Sequence, residues 1–247
     1  MTQFFADNSQ IDRQANRVII TGDDYNHMKN VLRIRPGEEF SVRCPGEPAE
    51  YRCSVIEYTS SDAVCEIRFI KEDDTELPVS VTIYQGLPKA DKLETVIQKC
   101  VELGACRVVP VRTARSIVKL DDKKAESKCA RWNQIAEGAA KQSQRGIIPS
   151  VGPVMDFDEA LEDSKDFEMK LIPYELAGDM ASTRELMGRI KPGDRIGIFI
   201  GPEGGFESSE VDKASQAGFI PITLGRRILR TETAAMTVMS WLVYLME

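Results

Sequence analysis

The sequence predicts a two-part chain, a small β-rich barrel followed by an α/β domain on a mostly parallel sheet. Residues 1–71 carry short strand-like runs separated by Pro-Gly and Ser-Asp turn chemistry, a spacing that suits a small barrel. From Val79 onward, apolar strands alternate with segments of helical periodicity, the rhythm of a parallel sheet with crossover helices. Between the two, Lys71–Pro78 is polar, acidic and ends in proline, so it reads as a linker. Domains 1–74 and 75–247 are expected on this basis.

In the first part, Arg17–Thr21, Glu39–Cys44, Tyr51–Tyr58 and Ala63–Ile70 are the predicted strands. Asp23–Leu32 is one short helix, closed by Pro36-Gly37. In the second part, Val79–Gln85 is a strand, and Lys89–Leu103 a helix with Leu93, Val96, Ile97, Cys100 and Leu103 at helical spacing and Gly104 placed to cap it. The expected order continues with strand Arg107–Val111, helix Lys123–Ser143, strand Lys170–Pro173 and a helix near Ser182–Arg189. Strand Arg195–Ile200, helix Ser208–Ala217, strand Phe219–Leu224 and helix Thr231–Met246 complete it. From Ala234 to Met246 only Thr237 and Ser240 are clearly polar. A helix apolar on all sides must be buried on all sides, either within its own chain or partly against a second subunit.

Composition removes several classes of function. With 42% hydrophobic and 29% charged residues over 247 positions, the chain is globular rather than disordered or fibrous. No apolar run approaches the roughly 18 residues of a membrane span. The opening MTQFFADNSQ lacks a signal-peptide pattern, so a cytoplasmic location is expected. Cys44, Cys53, Cys65, Cys100, Cys106 and Cys129 include no C-x-x-C pair and His27 is the only histidine, so neither a metal site nor a Ser-His-Asp hydrolase is expected. The net charge of −7 conceals a basic stretch: residues 112–145 hold nine Lys/Arg against four acids, while acids gather at 156–168. Such a stretch is either a solvated helix face or a phosphate track.

Two Gly-rich segments follow apolar strands: Ile200-Gly201-Pro202-Glu203-Gly204-Gly205 and Leu224-Gly225-Arg226-Arg227. In open α/β sheets ligands bind beyond the carboxyl ends of the strands, where glycine lets backbone approach a ligand. Neither segment has the spacing of a dinucleotide or P-loop motif. Arg226, Arg227 and Arg230 flank the presumed pocket, either as phosphate and base contacts or as partners of Glu203, Glu207 and Glu232. Thr231 or Thr233 is expected to cap the last helix.

The tracts Ile200–Phe206 and Leu224–Ala235 closely resemble the ribosomal RNA small subunit methyltransferase E family, SPOUT enzymes that methylate N3 of a uridine in 16S ribosomal RNA. His27 with Val31-Leu32-Arg33, Lys92 through Gly104, and Lys141-Gln142-Ser143 with Arg145 and Pro149 extend the likeness over nearly the whole chain. The sequence departs from the family's usual opening at Gln3, where an arginine is usual. The resemblance implies a PUA-like RNA-binding barrel, a trefoil knot that general topology rules would not suggest, and a homodimer through the C-terminal domain. It implies S-adenosylmethionine as cofactor, held by Pro173, Tyr174, Ile200, Gly201, Gly205, Leu224, Gly225, Leu229, Thr231, Thr233 and Ala234. RNA contacts are implied at His27, Arg33, Lys89, Lys141, Gln142, Arg145 and Arg226, the substrate being small-subunit ribosomal RNA, within the 30S subunit. From the sequence alone, His27 is favoured as a structural residue over an RNA contact.

For the chemistry, Arg230 either stabilises an N3/O4 anion or holds a flanking phosphate, and Glu232 either accepts the N3 proton or orients Arg230. Two other readings share these residues: an enzyme of the same fold acting on another RNA, and a non-catalytic RNA-binding assembly protein. The cofactor pocket favours catalysis, since a pure binder has no use for one.

Overall fold

The computed structural model describes residues 2–72, 75–118 and 120–247. Asp73 and Asp74 of the predicted linker and Lys119 of the basic stretch lie outside the described residues. The chain divides into two compact units, one running up to Glu76 and including Ala140–Ile148, the other comprising Leu77–Ala139 and Pro149–Glu247.

The first unit is a six-stranded sheet. Its strands are β1 (Gln3–Phe5), β2 (Ile11–Asp12), β3 (Arg17–Thr21), β4 (Glu39–Arg43), β5 (Ala49–Tyr58) and β6 (Asp62–Glu72), in the order β1-β4-β5-β6-β3-β2. All neighbours are antiparallel except β1 with β4. Strict alternation turns one face of β3 inward, so Val18 and Ile20 join Phe4, Phe40, Val42, Cys53, Val55 and Cys65 in one core. The predicted helix is helix α1 (Gly22–Asn26) continued by a π turn over His27–Val31, which ends at Arg33 with φ 55°. β1 and β2 are too short to show a period, and the sequence reading missed both.

Residues 140–148 belong to this unit through their polar groups. Arg145 is 3% exposed; its guanidinium pairs with Glu76, whose carboxylate also accepts the Gly146 N–H at 3.0 Å. Gln3, also buried, donates its amide to the Arg145 carbonyl at 2.8 Å. Arg145 is therefore a structural anchor, and its expected role as an RNA contact is withdrawn. The reason is physical: a guanidinium enclosed with its carboxylate cannot leave to bind phosphate without stranding a buried charge.

The second unit is a parallel sheet. It contains β7 (Ser80–Gly86), α2 (Lys92–Glu102), β8 (Arg107–Arg112), α3 (Asp122–Ser143), β9 (Ser150–Val151), β10 (Met155–Asp156) and α4 (Phe157–Asp163). It continues with β11 (Met169–Pro173), α5 (Met180–Met187), β12 (Arg195–Ile200), α6 (Ser208–Gln216), β13 (Ile220–Ile222) and α7 (Thr231–Met246). The strand order is β10-β8-β7-β12-β11-β13, with β9 beside β8, and every pairing is parallel. Strands covered on both faces read as continuous apolar runs, as Ile196–Ile200 does. Phe199 lies at its centre, 5.0 Å from the Tyr84 ring and 4.7 Å from Phe219.

Two local expectations are corrected. α2 begins at Lys92, not Lys89, because Ala90 takes a left-handed φ of 52° and Asp91 occupies the N-cap. Arg230, not a threonine, is the N-cap of α7. The last helix is not enclosed by its own chain: Thr231, Ala235, Val238, Met239 and Leu242 are buried, whereas Tyr244 is 85% exposed. All six cysteines are free thiols. Among the described residues, no helix is long and apolar enough to cross a membrane.

Candidate active site

The parallel strands deliver their carboxyl ends to one edge of the sheet. Pro173 ends β11, Ile200 ends β12 and Ile222 ends β13, and the loops after them surround a cavity of about 610 Å³. That size lies within the usual range of small-molecule sites. Pro173, Tyr174, Ile200, Gly201, Gly205, Leu224, Gly225, Leu229, Thr231 and Ala234 line it, together with Arg226 and Arg230. Thr233 and Glu232 do not; both sit in the first turn of α7, behind the wall.

The glycine loop is shaped by close backbone packing. A Cβ on Gly201 would lie 3.1 Å from the Gly205 Cα and 3.3 Å from the Phe206 ring, and Gly205 has φ 66°. Only glycine permits that fold-back, which leaves the backbone open toward the cavity. Phe206 anchors the loop in the core against Phe157 and Phe199. Such a wall of backbone and apolar side chains suits a flat, partly apolar ligand such as a nucleoside.

Charge is concentrated at the rim. Arg226, Arg227 and Arg230 are exposed and, among the described residues, form no ion pair. The alternative that they pair with Glu203 or Glu232 does not hold. Glu203 instead accepts from Lys92 Nζ at 2.9 Å and from the Lys89 N–H at 3.2 Å. Burial is the largest single influence and works against the Glu203 charge, but the hydrogen bond from Lys92, the backbone N–H donors of Glu203 and Lys89 and the Lys92 charge together hold its carboxyl below the usual range. Glu232 Oε2 is buried without a hydrogen-bond partner, 4.0 Å from Lys92 Nζ. Arg115 reaches across the glycine loop and donates to the Gly204 carbonyl at 2.9 Å. Lys92 and Arg115 both line the cavity and were not singled out from the sequence as site residues, because each comes from an element far from the glycine tracts.

The remaining expected RNA contacts lie elsewhere. His27, Arg33, Lys89 and Gln142 are exposed, and the His27 ring meets Phe4 edge-on at 6.3 Å. Lys141 is held by Asp24 at 2.8 Å. In the basic stretch, Arg131 pairs with Glu94 at 2.9 Å and Lys124 with Asp121 at 3.0 Å, so part of its charge is already answered within the chain.

A parallel sheet that gathers three strand-end loops around an arginine-rimmed cavity, joined to a β-rich unit, has the makings of a two-domain RNA-modifying transferase. Residues 75–243 match the RNA methyltransferase domain family, and residues 20–67 the RNA methyltransferase PUA domain family. The chain is 37% identical to ribosomal RNA small subunit methyltransferase E of Bacillus subtilis (strain 168), over 92% of this chain and 90% of that protein. It superposes with a TM-score of 0.84 on the crystal structure of ribosomal RNA small subunit methyltransferase E from Neisseria gonorrhoeae bound to S-adenosyl methionine. There the identity is 31%, covering 99% of this chain and 98% of that one. A methyltransferase from Legionella pneumophila with bound SAM gives a TM-score of 0.83 at 28% identity, over 98% of this chain and 96% of the other. The chain belongs to the ribosomal RNA small subunit methyltransferase E family.

Proposed function

We propose that the protein methylates N3 of a uridine in 16S ribosomal RNA, with S-adenosylmethionine as methyl donor. The observation that carries this reading is the cavity at the strand ends, walled by Gly201–Gly205 and Leu224–Thr231 and edged by three arginines without ion pairs among the described residues. S-adenosylmethionine supplies an activated methyl group on a sulfonium. The chain's own residues do the rest. Backbone at Ile200, Gly201, Gly205, Leu224 and Gly225 holds the ligand, and Leu224 and Leu229 bracket its adenine. Tyr174 and Pro173 close the third wall, and Thr233, which does not line the cavity, is left without a part in holding the cofactor.

The target base must be unpaired or flipped, since N3 lies on its Watson–Crick edge. Arg230 stabilises the charge that develops on the uracil once the N3 proton departs to water, and Glu232, buried beside Lys92 and outside the cavity lining, acts by positioning rather than as the proton acceptor. Arg226 with His27, Arg33, Lys89, Lys141 and Gln142 contacts the RNA. The junction of the two domains, expected between residues 74 and 75, is taken at Glu76–Leu77, with residues 140–148 returning to the first. Action on the small subunit places the protein in the cytoplasm.

We further propose that the protein is a homodimer through α7, whose Tyr244 and Leu245 are large apolar side chains left exposed outside the helix's buried face. Tyr244→Asp with Leu245→Asp is expected to weaken self-association about tenfold or more in sedimentation velocity. An unchanged sedimentation coefficient excludes this face.

The function is tested with methyl-labelled S-adenosylmethionine and unmodified small subunits, followed by nucleoside analysis. Label in 3-methyluridine at one site is expected, and its rate should fall with salt according to the few phosphates contacted. Label in another nucleoside, or none at all, overturns the N3 reading.

A further inference from the structure

Gln85 is 0% exposed, at the end of β7, and does not itself line the cavity. Its Nε2 donates to Thr231 Oγ1 at 2.8 Å and to the Gly86 carbonyl at 2.9 Å. The carbonyls of Ile200 and Gly201 lie 3.5 Å from the same nitrogen. Thr231 Oγ1 in turn donates to the Gly201 carbonyl at 2.6 Å. Three carbonyl oxygens around one terminal atom fix the amide orientation, because a flipped amide would set its own oxygen against all three.

Gln85 Oε1 has no hydrogen-bond partner. Packing alone gains nothing from a buried acceptor left unpaired, and an aliphatic side chain of similar size would avoid it. What the glutamine contributes is a donor. Its N–H occupies a lone pair of the Thr231 hydroxyl, which leaves the single hydroxyl proton for Gly201. Gly201 opens the glycine loop and Thr231 starts α7, and both line the cavity.

We propose that Gln85 is a positioning residue for the cofactor pocket, tying the β12 loop to the start of α7 through the Thr231 hydroxyl. The proposal rests on reading the cavity as the S-adenosylmethionine site. It acts through Thr231 and Gly201 and needs no contact between Gln85 and ligand.

The test is calorimetric titration with S-adenosylhomocysteine, alongside urea unfolding, of the wild type, Gln85→Leu, Thr231→Val and the double variant. Each single change is expected to raise Kd about tenfold or more. The double variant should bind no worse than the weaker single, because both changes cut one relay. Thr231→Ser, which keeps the hydroxyl, should bind as the wild type does. A purely structural role predicts non-additivity in unfolding and additivity in Kd, and that result overturns the proposal. So does a folded Gln85→Leu whose Kd lies within about twofold of wild type. Should Gln85→Leu fail to fold, equal Kd values for Thr231→Val and Thr231→Ser overturn it. A wild type that binds no S-adenosylhomocysteine overturns the cavity reading itself, a result distinct from variants that bind as well as a binding wild type.

Discussion

Arg230→Ala is expected to lower the single-turnover methylation rate by about 10²–10³-fold at saturating cofactor and RNA, the usual cost of removing a group aimed at developing charge. S-adenosylhomocysteine affinity should change less than about threefold. The backbone of Arg230 is set by its place as N-cap of α7, with φ −67° and ψ 154°, and its side chain makes no capping hydrogen bond. Truncation therefore removes the guanidinium without disturbing the helix start. That group is exposed at the cavity rim and without an ion pair among the described residues, so its charge is available to substrate. Arg230→Lys separates two roles. A point charge that holds phosphate survives the change, whereas a planar fork placed on the uracil edge does not. Recovery by lysine in KM alone assigns phosphate holding; loss of rate in both variants assigns charge stabilisation. An alanine variant with the wild-type rate removes Arg230 from the reaction.

The parts of this fold that were legible in the sequence are those with a period or a run. Arg195–Ile200 is apolar over most of its length because it is an interior strand buried on both faces, and it stands where the run predicts. The two glycine tracts mark loops at strand ends, and the cavity forms there. What escaped had no such signal. β9 and β10 span two residues each. α4 is hidden inside an acidic run, although the capping box of Asp156 with Glu159 marks its start. The return of residues 140–148 to the first unit is invisible locally, because α3 is one uninterrupted helix across the change. Thr231 was read as a cap because it sits at a helix start, but its hydroxyl points to Gly201, a partner brought near only by the fold. Gln85 and Lys92 reach the site for the same reason, so spacing along the chain carries no trace of them.

Gly86 shows how little room that arrangement leaves. A Cβ there would lie 2.6 Å from Pro202 Cδ and 2.9 Å from Pro202 N. Neither atom belongs to a flexible side chain; both are part of the proline ring that follows Gly201. Strand β7 cannot retreat, because it is held in register by β12 on one side and β8 on the other, Gly86 itself lying opposite Val111. The loop must yield instead. Its movement is opposed by the Gly201–Gly205 fold-back and by Phe206, which is buried in the core. Gly86→Ala is therefore expected to cost about 1–3 kcal/mol in urea unfolding, the range for overpacking a well-filled site. S-adenosylhomocysteine binding should weaken about tenfold or more, since the displaced loop is the wall of the cavity. Gly178→Ala, where an added Cβ meets nothing within 4 Å, is the matched control and should leave both unchanged. Lost stability with intact binding would mean that the strain spreads into the sheet and spares the loop. Unchanged values for both would show that Pro202 has slack, and that the glycine loop is not held as tightly as its contacts require.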